Sequence, residues 1–133
     1  MLIVHTSDMH GKLTFLKANK ILKLKEKGAI LLDSGDSLSA GNFDIRWREK
    51  TLILMSKIGY TAGVIGNREF YPIPFFLKWK LKDASFPHIS SNLIFKNKIG
   101  NIHPYIILKQ DKYNIPVIGL TLQIVKEFWK KYL

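Results

Sequence analysis

The chain contains no cysteine, few acidic residues and no long apolar run. Without cysteine it can form neither a disulfide nor a thiolate metal site, which fits a reducing compartment and leads us to expect a cytoplasmic protein. No uninterrupted apolar stretch reaches the roughly 20 residues that a membrane span needs. The first residues also lack a basic leader and a small-residue cleavage site. We therefore expect a soluble, non-secreted protein without a membrane partner.

Acidic residues are outnumbered by basic ones, 10 against 21, which gives a formal net charge of +11. This balance favours anionic partners in general. Most lysines are scattered along helix-like segments, where they would form a solvated face. The densest basic stretch, residues 126–131, is interleaved with aromatic side chains that could stack on bases or pack a terminal helix, and packing is the better supported interpretation. Nucleic-acid binding therefore ranks last among the functions considered.

The 133 residues fit a single domain, 1–133, with strands and helices in alternation. Short β-branched runs predict strands and Leu/Lys-rich segments predict helices. The order β-α-β-α-β indicates an α/β fold with a parallel sheet. The predicted elements are strands at 2–6, 29–32, 62–65 and 86–91, helices at 12–27, 44–58, about 71–82 and 123–133, and a hairpin of 106–109 with 115–120.

Two of these elements carry a further prediction. We expect the strand at 2–6 to be buried. In the helix at 12–27, Phe15, Ala18 and Leu22 follow the spacing of a core face, while further leucines lie on the opposite side of the helix. This helix is therefore predicted to have two neighbours.

Polar clusters follow the first three strands. Asp8 and His10 come after the first, Asp36 after the second and Asn67 after the third. Parallel strands end at one edge of a sheet, so these side chains are expected to converge there. Asp8, His10 and Asp36 could then hold one divalent ion, and with two ions Asp36 is the candidate bridge and Asn67 a ligand of the second. Each cluster alone is also compatible with a helix cap or a turn.

Three motifs in order carry a family resemblance, and later segments extend it. They are Thr6-Ser7-Asp8-Met9-His10-Gly11, Leu32-Asp33-Ser34-Gly35-Asp36 and Gly66-Asn67-Arg68-Glu69-Phe70, then Phe86-Pro87-His88-Ile89-Ser90-Ser91-Asn92, His103-Pro104-Tyr105 and Val117-Ile118-Gly119-Leu120-Thr121. As a set they resemble the calcineurin-like metallophosphoesterases, most closely the 5′-nucleotidase branch. The resemblance implies the first half of a four-layer sandwich fold, ending in a hairpin.

The resemblance also implies a dinuclear centre that hydrolyses phosphate esters by attack of a metal-bound hydroxide. Asp8 and His10 would hold the first ion, Asp36 would bridge, and Asn67 would hold the second. The cofactor would be one or two divalent ions, with Mn, Zn, Fe, Mg and Ca all open. The substrate would be a nucleotide or another small phosphate ester.

The neighbours of Asn67 complete the predicted site. Asp36, Asn67 and Arg68 are the candidate catalytic residues, and Glu69 would support the ligands from behind. Arg68 stands where the family has a histidine, and arginine stays protonated, so it could stabilise phosphoryl charge but not donate a proton.

Histidines are missing from the last part of the chain. The family supplies a lone histidine and a Gly-His-x-His turn there, whereas this sequence has only His5, His10, His88 and His103. The three other than His10 are expected to be structural. The second ion is therefore short of ligands, and a second copy or another chain is predicted to complete the site.

Two main functions stay open at this point. The first is a metal-dependent phosphoesterase, helped by a partner. The alternative is a degenerate family member that no longer catalyses and acts as a metal-binding or protein-interaction module.

Overall fold

The computed structural model describes residues 1–39, 46–70, 76–94, 98–110 and 112–121, which form a parallel sheet, its helices and a separate hairpin. The predicted terminal helix, the basic stretch at 126–131 and the start of the second and third predicted helices lie outside these ranges. The strands are β1 Ile3–Thr6, β2 Ile30–Asp33, β3 Ala62–Val64, β4 His88–Ile89, β5 Ile102–His103, β6 Tyr105–Gln110 and β7 Tyr113–Ile118. The helices are α1 Phe15–Glu26, α2 Lys50–Ile58, α3 Asn67–Phe70 and α4 Leu77–Lys80, followed by a 3₁₀ turn at Leu81–Asp83.

The sheet has five strands in the order β1-β2-β3-β4-β5, and every neighbouring pair is parallel. Strands β6 and β7 pair antiparallel, with Tyr105 opposite Ile118 and Gln110 opposite Tyr113. The predicted α/β fold with a parallel core and a C-terminal hairpin is therefore confirmed. The two-residue strand β5 and the four-residue helix α3 were not predicted, because such short elements leave no periodic pattern in a sequence.

Strand β1 is wrongly predicted as buried. It lies at one edge of the sheet, so only β2 covers it within the described part of the chain, and Ile3 is 46% exposed. Its companion β2 is the buried strand, with Leu31 fully inaccessible to solvent.

Helix α1 begins later than predicted because Thr14 caps it. The Thr14 side chain accepts a hydrogen bond from the Lys17 amide at 3.3 Å, and the chain leaves the helix before Gly28, which has a φ of 85°. Phe15, the first helical residue, is 72% exposed, so its predicted place on a core face is wrong. Ala18 is the helical residue that the core does bury.

The core is built from the sheet and from α2, which lies beside α1. Leu52 and Met55 of α2 are buried with Leu31 and Ile65 of the sheet region. Gly59 ends α2 in the left-handed conformation, with a φ of 86°. This packing holds the first three strands in a fixed register, and their carboxyl ends therefore meet at one edge.

The hairpin presents an apolar outer face. Tyr105, Ile107 and Ile118 are each more than half exposed, and the register places Tyr105 beside Ile118 on the same face. The residues that alternate with them are half-buried. A single hairpin with apolar residues on both faces is marginal in water unless another layer covers it.

Candidate metal centre

Three loops meet at the carboxyl edge of the sheet, after β1, β2 and β3. The first two are bonded to each other through the backbone: the Asp8 amide donates to the Gly35 carbonyl at 3.0 Å, the His10 amide to Asp36 at 2.9 Å, and the Gly11 amide to Ser37 at 2.8 Å. These bonds continue the parallel pairing of β1 with β2 beyond the strands. The two loops therefore have a fixed alignment.

Asp8, His10 and Asp36 lie together at this edge, and we call them the metal centre. Ligand atoms of all three lie within 4.8 Å of one another. The Asp8 carboxylate is 3.6 Å from His10 Nε2, and the two side chains are 67% and 32% exposed. The sequence-predicted convergence of these residues is what the structure shows, while their roles as ligands stay predictions.

The same three residues share an unusual backbone conformation. Asp8, His10 and Asp36 have φ values of 53°, 47° and 55°, and within the described ranges no other non-glycine residue has a positive φ. This left-handed region costs an L-residue roughly 1–2 kcal/mol. Strained backbone concentrates at functional sites, where the surrounding structure enforces it. Here the bonds between the two loops enforce it.

Gly66 lets the third loop approach the other two. A Cβ placed on Gly66 would lie 2.5 Å from the Asp36 nitrogen and closer still to Asp36 Oδ1, and a Cβ on Gly35 would lie 2.8 Å from the Gly66 nitrogen. Both distances are far below a van der Waals contact. The approach of Asp36 to the start of α3 therefore requires glycine at both positions.

Asn67 and Arg68 contact Asp36 directly. The Arg68 amide donates to Asp36 Oδ1 at 2.8 Å. The Asn67 side-chain amide lies against the same carboxylate, with its oxygen towards Asp36; turned over, its nitrogen would donate to Oδ2 at 2.6 Å and to Oδ1 at 3.0 Å. With the amide oxygen in this position three oxygens converge, an arrangement that a cation between them would stabilise.

Glu69 is fully enclosed behind the metal centre. Its carboxylate accepts hydrogen bonds from the amides of Gly66 at 2.7 Å, Asp36 at 3.1 Å, Ser37 at 3.1 Å and Leu38 at 3.3 Å. Burial, and then the charge of Asp36, raise the pKa of Glu69 to about 7. One side chain thus ties the loop after β2 to the loop after β3, while its predicted role in supporting metal ligands stays a prediction.

Lys80 is a site neighbour that sequence reasoning missed. Its ammonium donates to the carbonyls of Arg68 at 3.0 Å and Glu69 at 3.3 Å, and so fixes the C-terminal side of α3. Burial lowers the pKa of Lys80 to about 8. It is one of two lysines in α4 and a third, Lys82, follows, so no local signal distinguishes it from its exposed neighbours.

A second missed group is the buried carboxylate of Asp33. It accepts from the Gly35 amide at 2.9 Å and from the hydroxyls of Ser37 and Thr6, both at 2.6 Å. Thr6 also contacts the Tyr60 hydroxyl at 3.1 Å. Burial raises the pKa of Asp33. The available signal was an aspartate two residues before a glycine, which is typical of an Asx turn.

The remaining histidines lie away from the metal centre. His5 is exposed on β1 and contacts the Ser34 hydroxyl at 2.5 Å, and His103 bonds Asn101 at 2.8 Å. His88 is buried, and burial lowers its pKa to about 4. Of the four histidines, His10 alone belongs to a group that could hold a metal in the described part of the chain.

The residues present fit a divalent cation. Two carboxylates and one imidazole are donors that Mn, Zn and Fe accept, with Mg and Ca favouring the oxygens. Three protein donors leave positions open for water or substrate, as catalytic sites require. The fit rests on the convergence of the donors and on the strain that places them there.

Comparison with known proteins assigns this chain and its fold to one class. The family model for calcineurin-like phosphoesterases matches residues 1–131, and the chain belongs to that family. Within it, the chain is 34% identical over 140 residues to a 5′-nucleotidase of Vibrio parahaemolyticus, covering 91% of this chain. It is 32% identical over 137 residues to the protein UshA of Escherichia coli, covering 90% of this chain.

Solved structures show the same fold. A Haemophilus influenzae NAD nucleotidase superposes with a TM-score of 0.73 at 22% identity, covering 92% of this chain and 26% of that one. The calcineurin-like phosphoesterase YfkN of Bacillus subtilis superposes with a TM-score of 0.68 at 22% identity, covering 98% of this chain and 51% of that one.

The chain spans only a quarter of the length of these curated relatives, 25% for both the Vibrio and the Escherichia proteins. The activities of the whole relatives therefore do not transfer directly to this chain. No helix in the described ranges has the length and apolar character needed to cross a bilayer.

Proposed function

We propose that this chain binds a divalent cation at the metal centre and acts as a phosphoesterase on a nucleotide or another small phosphate ester. The convergence of Asp8, His10 and Asp36 ligand atoms within 4.8 Å is the observation that carries the proposal. The choice of a nucleotide is supported by the similarity to proteins named as 5′-nucleotidases.

Each side chain of the site has its own proposed role. Asp8 and His10 hold the cation from one loop and Asp36 from the next, while Asn67 borders Asp36. When bound, the cation would polarise a phosphoryl oxygen and lower the pKa of a coordinated water. Arg68 carries a permanent charge suited to a phosphoryl group. The excess of basic residues over acidic ones attracts an anionic substrate.

The main experiment measures metal content and hydrolysis together. Elemental analysis of the purified chain after manganese loading is expected to give about one to two ions per chain, the range of one- and two-metal sites. Release of phosphate from AMP is expected with manganese and not with EDTA. Asp36→Asn should lose both signals, and Glu26→Gln, an exposed acid of α1, should lose neither. Unchanged metal content and turnover in Asp36→Asn would show that the site is wrongly assigned.

A second chain is proposed to complete the centre. Within the described ranges, Asp8, His10, Asp36 and the Asn67 amide supply too few ligands for two ions. The apolar outer face of the hairpin around Tyr105, Ile107 and Ile118 is a surface that a second copy or a partner could cover. Analytical ultracentrifugation at micromolar concentration is expected to show a dimer, or a larger complex when the partner is present. A monomer that holds two ions and hydrolyses AMP would disprove this part.

Arg68 favours a second candidate, a metal-binding module without catalysis. An arginine cannot replace a histidine as a proton donor. This candidate predicts about one ion per chain and no release of phosphate from any of several esters. Sustained turnover with manganese would rule it out.

Binding of DNA or RNA ranks below both candidates, and the affinity of such binding should fall steeply as the salt concentration rises. A cytoplasmic location stays a prediction.

A further inference from the structure

A cavity of about 850 Å³ lies at the opposite end of the strands from the metal centre. Its walls include Ala84, Phe86 and His88, which lead into β4, and residues 99–102, which lead into β5. These are the amino ends of the strands, whereas the metal centre lies at the carboxyl ends. The volume is within the roughly 300–1,000 Å³ typical of small-molecule sites. No residue of the metal centre lines it.

Four Trp and Phe side chains form part of the walls of the cavity. Trp47, Phe76, Trp79 and Phe86 all line it. Trp47 and Trp79 meet edge to face with their ring centres 5.9 Å apart, yet Trp47 remains 81% exposed. An indole this exposed gains little from folding. Flat rings at the mouth of a cavity are suited to stacking against another flat ring.

The charge at the cavity is of one sign. Lys78 and Lys82 line it, and its described lining contains no aspartate or glutamate. The Lys82 ammonium lies 4.6 Å from the centre of the Trp79 ring and 5.9 Å from that of Trp47. This cation–π contact holds the positive charge directly beside the aromatic surface. A ligand that stacks there would have its own charge close to an ammonium.

We propose that this cavity binds a small, planar aromatic anion, with its ring against Trp79 and its negative group on Lys82. The ring accounts for the aromatic walls, and the anion for a lining that is basic and lacks acids. Nucleotides and simple aromatic acids both have this chemistry. The site is separate from the metal centre, and its occupancy does not depend on phosphoesterase activity.

Isothermal titration calorimetry of the full chain in EDTA tests the proposal with three matched probes. They are 2-naphthoate, which is aromatic and anionic, 2-naphthamide, which is aromatic and neutral, and cyclohexanecarboxylate, which is anionic and not aromatic. We expect 2-naphthoate to bind at least about fivefold more tightly than either of the others. AMP titrated in the same way distinguishes a nucleotide from a simple aromatic acid as the preferred ligand.

Four variants assign the binding to the cavity. Lys82→Gln should weaken 2-naphthoate about fivefold by removing the charge. Trp79→Leu should weaken it roughly two- to twelvefold by removing the aromatic face while keeping apolar volume. Lys20→Gln, on the exposed surface of α1, should have no effect, and Asp36→Asn should still bind.

Several results would overturn the proposal. They are no heat with 2-naphthoate at millimolar concentration at either of two temperatures, equal affinity for 2-naphthamide, or unchanged affinity in Lys82→Gln. If Trp79→Leu does not fold, Trp47→Leu at the exposed rim replaces it and should also weaken binding. Loss of binding in Asp36→Asn would indicate that the ligand binds at the metal centre, and would equally refute the proposal that it binds in the cavity.

Discussion

The left-handed backbone at Asp8 predicts that Asp8→Gly lowers the stability of the fold less than Asp8→Ala does. Asp8→Gly and Asp8→Ala both delete the carboxylate. At a φ of 53°, however, alanine keeps a strained Cβ and glycine does not. The strain is roughly 1–2 kcal/mol, and the extra flexibility of glycine in the unfolded chain offsets roughly 0.5–1 kcal/mol of it. Asp8→Gly should therefore be more stable than Asp8→Ala by about 0.75 kcal/mol, the difference between the midpoints of these two ranges.

Chemical denaturation in EDTA measures this difference, and manganese adds a second readout. A cation that binds only the folded chain stabilises it by about 2.7 kcal/mol when its concentration is 100 times the dissociation constant. The wild type should gain stability on this scale, while both Asp8 variants should gain much less. Equal stability of the two variants in EDTA would refute the strain argument. A full manganese effect in either variant would refute Asp8 as a ligand.

Three further predictions concern the surroundings of the site. The pKa of His88 is about 4 when folded and about 6.5 when unfolded, so its contribution to stability is complete above pH 6.5 and is lost as the pH falls towards 4. Urea denaturation should show a loss of about 1 kcal/mol between pH 7.5 and 5.5 that is absent in His88→Gln. Gly66→Ala should destabilise the fold by roughly 1–3 kcal/mol and reduce metal content, because its Cβ would collide with Asp36. The control Gly28→Ala, whose Cβ meets open space, should keep the metal. Equal metal content in the two variants would contradict this prediction. Tyr60→Phe should cost about 0.5–1.5 kcal/mol in thermal or urea unfolding by removing the contact with Thr6, and no measurable cost would show that the contact contributes nothing.

Much of the fold could be predicted from local patterns. The first three strands and two helices alternate with clear punctuation, so their order and the parallel sheet followed directly. Burial could not be predicted for β1, because its place at the edge depends on which strands pair and not on its own apolar residues. The prediction that Phe15 lies on a core face was wrong for a related reason. Thr14 sets where α1 begins, and the first turn, which contains Phe15, projects beyond the core.

The residues of the metal centre could be predicted from the sequence, but their backbone conformation and the groups that support them could not. Parallel strands bring their carboxyl ends together, so Asp8, His10 and Asp36 could be expected at one edge. Their left-handed conformation has no sequence signature, because it arises from hydrogen bonds between two loops that are distant in sequence. The supporting carboxylate of Asp33 and the ammonium of Lys80 were missed because burial, a tertiary property, gives them their roles.

The backbone bonds between the loops after β1 and β2 determine which changes in chain length the site can tolerate. Asp8, His10 and Gly11 are each paired with one residue of the segment from Gly35 to Ser37. A substitution leaves this alignment intact, whereas one inserted or deleted residue in either loop would shift every later pair by a position. We therefore expect variation at this site to take the form of exchanged side chains, with the number of residues in both loops held constant.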